Sequence, residues 1–153
     1  MKTWQLNKTH ISINQTDDHF PLENAYVEPA TQEQINALGS VVIGEAWMTS
    51  QPYQEGPKVI KFAPPQNRDD DPESLALWAK CYRKIIIVAE REELITLSVP
   101  LPGANPHIQG GEEAIRQALF ALSDQLQQAK YLQHLHLYAT DKESVGALLK
   151  SLS

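Results

Sequence analysis

The chain has 153 residues, 42% of them hydrophobic and 21% charged, with a formal net charge of -6. That length supports a sizeable core, and the acidic balance disfavours a phosphate-backbone partner, so no nucleic acid is expected. A single cysteine excludes an internal disulfide or a cysteine zinc cluster; with no run of transmembrane length and no signal-like apolar opening, a cytoplasmic protein with no membrane partner is expected.

Residues 9–15, THISINQ, alternate polar and apolar with Ile11 and Ile13 on one face, the period of a strand. Asp17, Asp18 and His19 follow. Residues 24–28, NAYVE, make a second short strand closed by Pro29. Residues 31–38 read as a short helix: Thr31 caps it, Gln34 completes a capping box, Ile35 and Leu38 face inward, and Gly39 ends it. Residues 40–49 fit a strand, a helical turn, or one of each. KVIKFA at 58–63 is a strand ended by Pro64 and Pro65, and a polar loop with Asp69, Asp70 and Asp71 comes next. Residues 73–91 form the longest helix. Leu77, Cys81, Ile85, Val88 and Ala89 line one face, with Trp78, Tyr82 and Ile86 beside it.

Residues 94–99 are a short apolar run suited to a buried strand, stopped by Pro100 and Pro102. The loop Gly103-Ala104-Asn105-Pro106-His107 follows, and Gly110 and Gly111 lead into a helix. There Ile115, Ala118, Leu119, Leu122 and Leu126 recur at helical spacing. In open α/β sheets such loops line the ligand crevice, and Gly and Asn can turn backbone N–H groups toward an anion. The same residues are also ordinary turn chemistry for a plain connector. Residues 131–138 give a further strand, with Leu135 and Leu137 facing one way and His134, His136 and Tyr138 the other. Thr140 to Glu143 has capping-box spacing and opens a last helix carrying Val145, Leu148, Leu149 and Leu152. Strands alternating with helices predict an α/β fold, with helices on both faces of a mixed sheet.

Taken in order, these pieces resemble the macro domain, the three-layer α/β/α module associated with ADP-ribose. ISINQTDDHFPLENAYVEPA, residues 11–30, is similar to the family's opening, a strand leading to Gly-Asp-Ile-Thr and then a strand ending Asn-Ala-Ala-Asn. GEAWMTSQPYQEGPKVIKFAPP, residues 44–65, resembles the segment with Thr-Gly-Glu-Ala and a Val-Ile-His strand ending in Gly-Pro. LWAKCYRKIIIVAEREELITLSVPLPG, residues 77–103, resembles the long helix with Tyr-Arg and the strand reading Ser-Ile-Ala-Phe-Pro. The resemblance implies a three-layer sandwich with a mixed, mostly parallel sheet and one macro-like domain over residues 1–153. It implies ADP-ribose or another adenine nucleotide as partner, and no cofactor.

Departures cluster at the ligand motifs. The family's Asn-Ala-Ala-Asn falls on Glu28-Pro29-Ala30-Thr31, and the glycine-rich loop that follows it is absent. The second phosphate loop, usually Gly-Thr-Gly-Val-Tyr-Gly, falls on residues 103–108 and keeps its first Gly alone; Pro106 also removes a backbone donor. Thr31 lacks the paired donor and acceptor of Asn, and Glu28 brings negative charge toward the diphosphate position. The Asp that accepts from the adenine amine corresponds to Asp17, with Asp18 in place of the usual Ile.

The remaining constellations are weaker. His134 and His136 offer two metal ligands where three or four are needed, and the aspartate run lacks the Gly and Glu of a calcium loop, so no metal is expected. Cys81 reads as a buried thiol, Glu45 as complementing a helix dipole, and Trp47 as core. The combined reading is a non-catalytic binding module, with ligand contacts at Asp17, Asp18, Thr31, Gly103, Ala104, Asn105 and His107 and no catalytic residue. One alternative is an ADP-ribosyl hydrolase with a rebuilt site, using Asp18, Glu28 or Glu45 as base. Another is a structural domain with a protein partner, its crevice filled by His107 and Tyr26.

Overall fold

The alternation in THISINQ becomes β2 (Thr9–Gln15), which pairs antiparallel with β1 (Thr3–Leu6). The structure, a computed structural model, describes residues 3–6, 8–15, 25–39, 42–49, 58–65, 71–104, 108 and 110–152. The further strands are β3 (Ala25–Pro29), β4 (Ala46–Thr49), β5 (Lys58–Phe62), β6 (Thr96–Pro100) and β7 (His134–Ala139). Among the described residues the seven form one sheet in the order β1-β2-β7-β6-β3-β5-β4. β2, β7, β6, β3 and β5 run parallel, and β1 and β4 close the edges antiparallel. This is the mixed, mostly parallel sheet expected of the α/β sandwich.

Register divides the sheet into two unlike faces. Ile11 and Ile13 align with Leu135 and Leu137, and these with Leu97 and Val99, giving a continuous apolar face. Helices α2 (Pro72–Arg91), α3 (Glu112–Leu126) and α4 (Lys142–Leu152) belong to this side. α2 packs along α3 and against β4 and β5, α3 meets α4, and α4 lies on β2 and β7. The opposite face carries His10, Ser12, His134, His136, Ser98, Tyr26, Glu28, Lys61 and Trp47. Helix α1 (Gln32–Leu38) joins that side near the carboxyl edge, where Ile35 packs with Ala30, Ala63, Val42, Ile43 and Trp47.

Several expectations shift in detail. β1 is additional to the expected strands, although Trp4 and Leu6 alternate with Gln5 in the sequence. Residues 94 and 95 precede β6, because Glu93 adopts φ 55 and turns the chain before the ladder begins. Pro29 is the last residue of β3 and does not lie beyond it. Leu38 is 55% exposed: α1 ends there, and Gly39, at φ 92, turns the chain away. In α2 the buried stripe is wider than expected. Trp78, Tyr82 and Ile86 are as buried as Cys81 and Ile85, while Leu77 is half-buried, because the helix is covered by both the sheet and α3. The cap of α4 is Asp141, not Thr140; its Oδ1 accepts from the N–H groups of Glu143 and Ser144. No described helix is long and apolar enough to cross a membrane.

Candidate functional site

From β6 the chain passes through α3 to β7 on one side; from β3 it passes through α1 and β4 to β5 on the other. The strand order therefore reverses between β3 and β6. At such a switch point the flanking loops leave in opposite directions and a crevice forms at the carboxyl ends. The ladder supports this placement. Tyr26 with Ser98 is the one registered pair between β3 and β6, whereas β3 and β5 share five and β6 and β7 share five. Pairing stops two residues short of Glu28 and Pro100. The hydroxyl of Ser98 is fully buried there and has no hydrogen-bond partner among the described residues.

One wall is the loop after β6. The Tyr82 hydroxyl donates to the Pro100 carbonyl at 2.6 Å, tying α2 to the strand end. Leu101, Ala104 and Ile108 are buried and plug the loop into the core. Gly103 stands at φ 82, the left-handed region that glycine tolerates, and a Cβ there would come within 2.9 Å of the Gly110 carbonyl oxygen. Its N–H donates to the Ile108 carbonyl at 3.0 Å, and the Ala104 N–H donates to the Leu101 carbonyl at 3.0 Å. Both amides of this predicted anion cradle are thus engaged within the loop. Asn105 and His107 lie outside the described residues, as do Asp17 and Asp18.

The other wall begins at β3. Thr31 is the N-cap of α1: its Oγ1 accepts from Gln34 N–H at 3.1 Å, and its own N–H donates to Gln34 Oε1 at 2.9 Å. The reciprocal capping box read from spacing is present. Glu28 is not a lone charge. Its neighbour in register on β5 is Lys61, whose Nζ lies 2.7 Å from Glu28 Oε1. The Lys61 side chain is 14% exposed and that of Glu28 41%. Trp47 is the cross-strand partner of Lys61 on β4 and half-buried in the second apolar cluster. Sequence reasoning missed Lys61, because its partner lies 33 positions away and only the β3–β5 register brings the two together.

The other candidates fall elsewhere. Glu45 pairs with Lys80 at 2.8 Å and Lys84 at 3.9 Å on α2, across the sheet from Glu28. The hydrogen bond from Lys80 holds its carboxyl below the usual range, which weakens it as a base. Cys81 donates to the Ala63 carbonyl at 3.3 Å, and burial pushes its thiol up to about 12. Asp71 is the N-cap of α2, its Oδ1 accepting from Ser74 N–H at 2.8 Å; Asp69 and Asp70 lie outside the described residues. His134 stacks on His10 at 5.6 Å, and His136 Nδ1 is 2.6 Å from Ser12 Oγ. Among the described residues no three His, Cys, Asp or Glu side chains are grouped to hold a metal.

No family profile and no curated protein sequence matches the chain. Its fold does match solved structures. The Oceanobacillus iheyensis macrodomain with ADP is 17% identical, with a TM-score of 0.70 over 99% of this chain and 95% of that one. The same protein with MES bound is 16% identical, with a TM-score of 0.67 over 99% and 94%. The Trypanosoma brucei macrodomain in complex with ADP-ribose is 15% identical, with a TM-score of 0.63 over 94% and 69%. The chain has the macrodomain fold, in a form that is divergent in sequence.

Proposed function

We propose that the protein is a non-catalytic binding module for ADP-ribose or a related adenine nucleotide, held in the crevice between the carboxyl ends of β3 and β6. The observation that carries this reading is the strand-order reversal at a sparsely laddered pair, in a fold whose solved relatives were determined with ADP and with ADP-ribose. In this reading Asp17 accepts from the adenine amine. Asp18, Thr31, Gly103, Ala104, Asn105 and His107 line the rest, with Gly103 and Ala104 acting through shape because their amides are engaged. Residues 1–153 are read as one domain, on a core that runs continuously from Leu6 to Leu149.

Against hydrolysis stand Thr31, whose hydroxyl is used as a cap, and Glu45, which is turned to α2. The test is calorimetric titration of ADP-ribose into the protein and an Asp17→Ala variant, with turnover of an ADP-ribosylated protein measured alongside. Saturable binding weakened by the substitution, without turnover, is expected. Turnover lost with Asp18 or Glu28 would favour the hydrolase. No heat at millimolar ligand would favour a protein-interaction scaffold.

A further inference from the structure

A diphosphate needs cations or free backbone N–H donors, and the described walls of the crevice offer few. Gly103 and Ala104 direct their amides into their own loop, and the Thr31 amide is engaged by Gln34. Lys61 is the cation of the β3–β5 row at this edge, and it is held by Glu28 at 2.7 Å. An approaching phosphate must either share Lys61 with that carboxylate or displace it, and both alternatives set anion against anion at close range. Asp17 and Asp18 follow β2 in the sequence, within a chain of net charge -6.

The pair is well suited to a different ligand group. Glu28 Oε1 faces Lys61, while its half-exposed side chain keeps Oε2 as an acceptor for a sugar hydroxyl, so binding there leaves the ion pair intact. Resting on the adenine-site reading above, we infer that the Glu28–Lys61 pair sets how this crevice holds its ligand: affinity comes from the nucleoside part, whose ribose hydroxyls donate to Glu28, and the diphosphate adds none, so adenosine binds at least as tightly as ADP. Glu28 is a binding residue in this scheme. Lys61 is a positioning residue that acts through it.

The experiment is calorimetric titration of adenosine, ADP and ADP-ribose into wild type, Glu28→Gln and the double variant Glu28→Gln/Lys61→Gln. Wild type is expected to bind adenosine at least as tightly as ADP. Releasing Lys61 in Glu28→Gln should tighten ADP about tenfold and weaken adenosine several-fold, and the ADP gain should vanish in the double variant. Gln is isosteric with Glu and the Glu28 side chain is 41% exposed; circular dichroism and urea denaturation of both variants check that the fold is retained. ADP binding tenfold tighter than adenosine in wild type, or unchanged ADP affinity in Glu28→Gln, overturns the inference and leaves the adenine site standing. No saturable binding of any of the three ligands overturns the adenine site itself, and the inference with it.

Discussion

Glu28 illustrates how one unread neighbour changes the chemistry of a residue. Alone at a strand end it is a repulsive charge; beside Lys61 it is half of a neutral pair. Nothing local announces this, whereas the Thr31–Gln34 capping box was legible because its two halves are three residues apart. Ser98 makes a second residue-level point. Its buried hydroxyl carries a desolvation cost that no hydrogen bond among the described residues offsets, so Ser98→Ala is expected to be neutral or to stabilise by up to about 1 kcal/mol, measured by urea denaturation. Cys81 is the converse, a group whose inertness is built in. With its thiol pushed up to about 12 and fully buried, it should alkylate orders of magnitude more slowly in the native protein at about pH 8 than after unfolding, as mass spectrometry would read.

At the scale of elements, the helices are anchored by short polar contacts at their ends. Asp71 opens α2 and Asp141 opens α4, each held below its ordinary value of 3.8, first by the side-chain hydrogen bond from Ser74 or Ser144 and then by backbone N–H. The folded pKa is depressed, so the stability these caps add is complete above the unfolded value and is lost as pH falls through the folded one. Asp71→Asn keeps a capping acceptor without the charge. It should therefore unfold near the wild-type urea midpoint at neutral pH and lose less than wild type between about pH 5 and about pH 3. At the other end of α2, the Glu90 carboxylate accepts from the N–H groups of Lys130, Tyr131 and Leu132, clipping the helix to the turn before β7. Glu90→Ala leaves the part-buried Leu132 N–H without its acceptor, while water can reach those of Lys130 and Tyr131, and should cost about 1 kcal/mol in denaturant titration, with Glu90→Gln costing less. The elements themselves were legible where periodicity was long, as in α2 and α3. The four residues of β1 were too few to stand out before their antiparallel partner was known.

Across the whole molecule, the polar alternation of β2, β6 and β7 proves as informative as their apolar halves. A parallel sheet covered by helices on both faces reads as unbroken apolar runs, but here the strands alternate. The described structure explains why: α2, α3 and α4 share the apolar face, and α1 reaches the other only at its carboxyl edge. The order of pieces along the sequence was enough to anticipate the macrodomain fold. That the candidate walls after β3 and after β6 stand side by side at a strand-order reversal was not legible, because strand order is set by long-range packing that no local pattern encodes.

The central claim is that an adenine ligand sits at that reversal. The most direct test follows backbone amide shifts by heteronuclear NMR while ADP-ribose, and separately adenosine, is titrated into the isotope-labelled protein. Saturable shifts concentrated at Thr31, Lys61, Gly103, Ala104 and Gly110 are predicted. Their absence, or saturable shifts confined to the opposite, amino edge around His10 and His134, would contradict the claim.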